Sequence, residues 1–88
     1  MKQFRIWYSD GEMSFGWLRA EGSHGRVGGI AKYDEEYALE QIELEQRARP
    51  DMAFSLIAVG ATQDEENEII NRTREVARSR QRARWASQ

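Results

Sequence analysis

The sequence predicts a small α+β domain: an N-terminal β-hairpin, a short third strand, a helix, a central strand and a C-terminal helix, with both helices packed on one side of a small antiparallel or mixed sheet. Three observations carry this. Asp10-Gly11 separates two strand-like runs, helical spacing of apolar residues follows good capping residues at Asp34 and Thr62, and residues 52–59 are apolar at nearly every position.

Residues 2–8 and 13–20 flank Ser9-Asp10-Gly11-Glu12, whose central Asp-Gly signals a two-residue hairpin turn. That turn sets Tyr8 opposite Met13, Ile6 opposite Phe15 and Phe4 opposite Trp17, which makes one face uniformly apolar. On the reverse face Trp7 falls beside Ser14 and Arg5 beside Gly16, so Trp7 is expected to stand exposed with Arg5 near it. Residues 21–29 hold four glycines and the only histidine and read as a flexible loop, with 30–33 closing the short third strand. Asp34 suits a helix N-cap, Glu35 and Glu36 favour the positive end of the helix dipole, and Tyr33 can staple onto Ala38. This helix stops before Pro50. Its wheel sets Tyr37, Ala38, Leu39, Ile42, Leu44 and Ala48 on the core side and Glu36, Glu40, Glu43 and Arg47 on the other.

The apolar run 52–59 suits a strand in the middle of the sheet, covered on both faces. Thr62-Gln63-Asp64-Glu65 reads as a capping box opening a second helix, with Ile69, Ile70, Thr73, Val76 and Ala77 as its stripe. No large apolar residue follows until Trp85, so a basic helical extension is expected to leave the body from about residue 78.

A chain of 88 residues holds one core, and the whole length is read as a single domain. Without cysteine there is neither a disulfide framework nor a thiolate metal site. The first twenty residues lack an apolar run suited to a signal peptide or membrane span, so a cytoplasmic protein, in a bacterial host cell, is expected. All but two of the thirteen basic residues are Arg, a skew that fits a GC-rich coding sequence. The net charge of −2 conceals segregation: residues 34–45 carry acids and no base, and residues 78–88 carry Arg and no acid.

Chemistry finds little purchase. His24 has no second His or Cys to share a zinc ion, and the scattered serines would need it to reach them from a glycine loop. Gly22-Ser23-His24-Gly25-Arg26-Val27-Gly28-Gly29 looks superficially like a phosphate-cradling loop but lacks its Gly-Lys-Ser/Thr ending. The sequence therefore reads as non-enzymatic and without cofactor or metal, and binding is the function class left.

Two charged surfaces compete for that role. Glu36, Glu40 and Glu43 are either a solvated helix face or a surface offered to a basic partner; Glu36 and Glu40 repel at i, i+4, and Glu43 has Arg47 as an i+4 partner. Arg74, Arg78, Arg80, Arg82 and Arg84 with Trp85 form the rival, able to meet phosphates or to serve a helix C-terminus. The hairpin of residues 2–20, the acidic helix 34–49 and the second helix from Thr62 together give a layout that resembles small bacteriophage accessory proteins of the anti-CRISPR type. The resemblance is one of size, layout and charge. It implies inhibition by occlusion, a charged and aromatic surface covering a basic, nucleic-acid-binding face of a host defence complex.

The leading expectation is thus a protein-binding inhibitor in which Arg5, Trp7, Glu36, Glu40 and Glu43 contact a host protein or complex with a basic surface. The alternative is a nucleic-acid-associated protein acting through the Arg-rich tail. No membrane partner is expected. A homodimer covering the hairpin's reverse face is compatible with either, since Trp7 and Leu18 would otherwise lie in water.

Overall fold

The computed structural model describes residues 2–21 and 27–86. In chain order these form β1 (Phe4–Ser9), β2 (Phe15–Trp17), β3 (Arg19–Glu21), β4 (Val27–Ile30), α1 (Glu35–Ala48), β5 (Ala53–Ala58) and α2 (Gln63–Ala86). The α+β class read from the sequence is the class observed, with an antiparallel three-stranded sheet and two helices. Residues 22–26, with His24 and most of the expected glycine loop, lie outside the described residues. The third strand expected over 30–33 falls earlier, as β4, which pairs with β3 in a separate two-stranded sheet. Tyr33 then returns to β1, exchanging backbone bonds of 2.7 and 2.9 Å with Phe4.

The main sheet has the order β2-β1-β5, so β1 is its middle strand and β5 an edge. This corrects the expectation of 52–59 as the central strand. A strand reads as uniformly apolar when both its faces are covered, and that says nothing of its neighbours in the sheet plane. Both faces are covered here. Ile57, on the face shared with Arg5, Trp7 and Ser55, is fully buried, and so is Ile6 on the reverse face with Phe54 and Leu56. Contacts of α2 with Ser55 and Arg5 place it on the Ile57 face. Both α1 and α2 rest on β1 and β5 but hardly on each other. The helices therefore divide the two faces between them, and do not share one side.

The hairpin turns where the sequence says but not as it says. Observed partners are Trp7 with Trp17, Tyr8 with Gly16 and Ser9 with Phe15. Relative to the expected register the second strand has slid by three residues, because Asp10-Gly11 opens a wider loop and does not itself form the whole turn. The Asp10 carboxylate accepts from the amides of Glu12 (2.8 Å) and Ser14 (3.1 Å), Ser9 Oγ accepts from Gly11 N (2.9 Å), and Asp10 N donates to Ser14 O (2.9 Å). An odd slip exchanges the faces of a strand. Phe15 and Trp17 thus join Arg5 and Trp7, and leave Phe4 and Ile6.

In α1 the Asp34 carboxylate caps Tyr37 N at 2.8 Å, as expected, and the helix ends ahead of Pro50. Its seat on the sheet is narrower than its apolar residues suggest: Ala38 is fully buried with Gln41, Ile42, Glu45 and Gln46 around it, while Tyr37, Leu39 and Leu44 are half exposed or more. The Tyr33 ring packs at a tilt of 42° against Tyr37, ring centres 5.3 Å apart, where a staple to Ala38 was expected. In α2 Thr62 Oγ1 accepts from Glu65 N at 3.2 Å, the first bond of the expected capping box. Thr73 and Ala77 are buried at the centre of its stripe. The Thr73 hydroxyl donates to Ile69 O (2.6 Å), which leaves its oxygen to accept from Ser55 (2.7 Å).

Candidate functional site: the outer face of α1

Among the described residues there is no cluster of His, Cys, Asp or Glu able to hold a metal ion, and no helix is long and apolar enough to cross a membrane. The structure sorts the residues singled out by sequence into three places.

Arg5 and Trp7 lie under α2. The Arg5 guanidinium pairs with Glu66 on α2 and lies 4.2 Å from the centre of the Trp17 ring. Trp7 meets Trp17 edge to face at 5.1 Å and tilts toward Phe15 at 6.0 Å. Both Arg5 Nε and Trp7 Nε1 are buried donors without an acceptor among the described residues. The exposed aromatic expected at Trp7 is therefore a half-buried one, and the cause is the register: a tight turn would have left it beside Ser14, whereas the wider loop brings Trp17 across from it. Phe15, 59% exposed, is the aromatic that reaches solvent from this cluster.

The basic segment is tied to the body and does not leave it at residue 78. Arg78 Nε donates to Gly11 O (2.8 Å) and Gln81 donates to Asp10 O, so α2 clamps the hairpin loop. Arg80 donates to Met52 O (2.7 Å) and Gln46 Oε1 (2.8 Å), and Arg84 pairs with Asp51 at 2.9 Å. Arg74 bonds Asn71 at 2.8 Å within the helix. Arg82 and Trp85 stay exposed and, with Glu12, Arg78 and Gln81, border a depression of about 330 Å³. The signal for this docking was Gln81 and the Arg side chains, which supply donors where the sheet and loops leave carbonyls unpaired.

The acidic residues of α1 stand in water as a group. Glu36, Glu40 and Glu43 are all exposed; Glu43 pairs with Arg47 at 2.7 Å, and neither Glu36 nor Glu40 has a cation beside it among the described residues. Tyr37, 50% exposed, and Leu44, 58% exposed, flank these acids. Asp34, Glu36, Tyr37 and Glu40 together border a shallow depression of about 190 Å³. Sequence reading assigned Tyr37 and Leu44 to the core because a wheel cannot tell how wide a helix's seat will be. The cue was Ala38 together with Gln41, Glu45 and Gln46: a small residue and three polar ones mark the line of contact, and leave the large apolar residues on its margins. Next to this surface, burial raises the Tyr33 phenol above its ordinary range, helped by Tyr37 and by the charge of Glu45.

Comparison with protein-family models, with curated proteins and with solved structures finds no match.

Proposed function

We propose that the protein is a non-enzymatic protein-binding module whose α1 docks on a basic surface of a host protein or complex. One observation carries the reading: Glu36 and Glu40 are exposed without cation partners among the described residues, beside exposed Tyr37 and Leu44. A protein interface needs an apolar anchor with a polar rim, and Tyr supplies contact area at low entropic cost. The acids add steering toward a basic partner and reject acidic ones. A surface of this chemistry competes with phosphates for the same cations, which supports action as a phage-type inhibitor that occludes a nucleic-acid-binding face, in the manner of anti-CRISPR proteins. With Arg5 and Trp7 under α2, the contact set of this proposal is Glu36, Tyr37, Glu40, Glu43 and Leu44.

The test compares the wild type with Glu36→Lys/Glu40→Lys/Glu43→Lys and with Tyr37→Ala as baits in a bacterial host lysate, after circular dichroism shows that the baits are folded. Expected is a protein held by the wild type, released by salt and lost from both variants. A partner held equally by all three removes α1 from the account. The alternative, phosphate binding through Arg82 and Trp85, is supported by their exposure around one depression. It requires binding to random duplex DNA or single-stranded RNA that weakens steeply with salt.

A further inference from the structure

The open edge of β5 offers a second binding surface, independent of α1's acids. In the β1–β5 ladder Val59 N donates to Gln3 O at 2.9 Å, and the register gives Ala53, Ser55 and Ile57 the same orientation toward β1. Phe54 and Leu56 therefore turn their backbone N–H and C=O groups outward. Met52 also points outward, and its carbonyl is taken by Gln46 (2.8 Å) and Arg80 (2.7 Å). Phe54 and Leu56 have no such cover among the described residues. Proteins blunt such edges with charge, proline, a bulge or an overlying segment. The stretch Ala53–Ala58 (Ala-Phe-Ser-Leu-Ile-Ala) has neither charge nor proline, and its register is regular.

The flanks indicate what pairs there. Ser55 meets Thr73, and Arg5, opposite Ile57, meets Glu66, so Leu56 lies level with the stretch of α2 around Ile69. On a helical wheel Ile69, Arg72 and Val76 share the side of α2 from which Arg80 reaches over the edge to Met52. On the other face Leu39, 52% exposed, shares the side of α1 from which Gln46 does the same. On that same side of α2 Glu65 and Glu68 precede Ile69 and Arg72 follows it, so a copy laid antiparallel about Ile69 sets base against acid.

We propose that β5 pairs antiparallel with β5 of a second copy about a two-fold axis at Leu56, so that two three-stranded sheets become one of six strands. Leu56 then bonds to Leu56 of the partner subunit, and Phe54 lies opposite the partner's Ala58. The axis lays α2 antiparallel to its copy, with Ile69 at the seam and Arg72 facing Glu65 and Glu68 of the partner subunit. Tyr37, Glu40 and Leu44 lie on the side of α1 turned from Leu39, so the dimer leaves that part of the acidic face open, while Glu36 and Glu43, three and four residues from Leu39, stand nearer the seam.

Sedimentation equilibrium of the full chain from about 1 to 200 µM, with residue-resolved amide exchange at both ends of the range, tests this. Expected is a reversible dimer in which the amides of Phe54 and Leu56 exchange quickly when dilute and slowly when concentrated. Arg72 is 69% exposed, so Arg72→Glu leaves the fold intact and sets like charges across the seam. The dimer should weaken roughly tenfold or more, and adding Glu68→Arg should recover most of the loss. A chain that stays monomeric throughout overturns the proposal. So does a dimer in which Phe54 and Leu56 exchange as freely as when dilute, or one indifferent to Arg72→Glu.

Discussion

Among the described residues Glu66 is the carboxylate that pairs with the Arg5 guanidinium under α2, and both side chains are less than one-fifth exposed. Removing one partner leaves a charge in a place that water reaches poorly. Glu66→Ala is expected to destabilise the fold by about 3 kcal/mol, with Glu66→Gln milder because it keeps an acceptor, as denaturant titration would show. Tyr33 makes a different statement. Its phenol is raised by burial first and then by Tyr37 and Glu45, so the folded chain holds this proton to a higher pH than the unfolded one. Its contribution is fully present below the ordinary phenol range and is lost as pH rises through the folded-state value. Stability should therefore fall in strongly alkaline solution, and Tyr33→Phe should flatten that fall. The sequence made Asp10 and Gly11 legible as turn residues, yet the register depended on how many amides the Asp10 carboxylate would gather. A dipeptide rule sees the residue and not its hydrogen bonds.

Among the elements, α2 departs furthest from its sequence reading. Its apolar stripe ends at Ala77, and the four Arg that follow looked like a solvated extension. In the fold three of them are polar anchors: Arg78 holds the Gly11 carbonyl, Arg80 the Met52 carbonyl and Arg84 the Asp51 carboxylate. Truncation after Ala77 is thus expected to lower stability by roughly 2–3 kcal/mol, from several hydrogen bonds at about 1 kcal/mol each less the entropy of the ordered side chains. A thermal melt unchanged by the truncation would contradict this. The contact of Arg78 with Gly11 is also close. Gly11 has φ of +88°, and a Cβ there would meet Arg78 Cγ at 2.7 Å and Arg78 N at 2.9 Å, so the loop and the helix fit each other only through glycine. The helix ends were legible at Asp34, Thr62 and Pro50, because caps and stops are local chemistry. The seat of α1 was not, because it depends on how near the sheet Ala38 lets the helix lie.

For the molecule as a whole, the layers order the expected protection. The β1–β5 ladder lies between two helices, with Ile6 and Ile57 fully buried on opposite faces, whereas β3 and β4 form a small sheet of their own. Amide exchange should be slowest at Arg5, Trp7, Ser55 and Ile57 and markedly faster across β3–β4; equal protection in both sheets would argue against this division. The class of the fold was readable from caps, period and an apolar strand. Its strand order was not, since an apolar run reports burial of faces and is silent about edges. Of the candidate surface, the acids were readable as charge, while Tyr37 and Leu44 became visible only once the sheet had chosen Ala38.

One carbonyl has a mechanical consequence. Met52 O is held from one side by Gln46 of α1 and from the other by Arg80 of α2, so the start of β5 is a clasp between segments that otherwise hardly touch. A pull on the C-terminus would be resisted first at Arg84 and Asp51, next where Gln81 holds Asp10, and then at this clasp. Once Arg80 lets go, the load passes to the Arg78–Gly11 contact and the hairpin loop, while Gln46 keeps α1 fastened to the strand. The molecule would yield in steps from its C-terminal end, and the acidic helix would be the last of the two to part from the sheet.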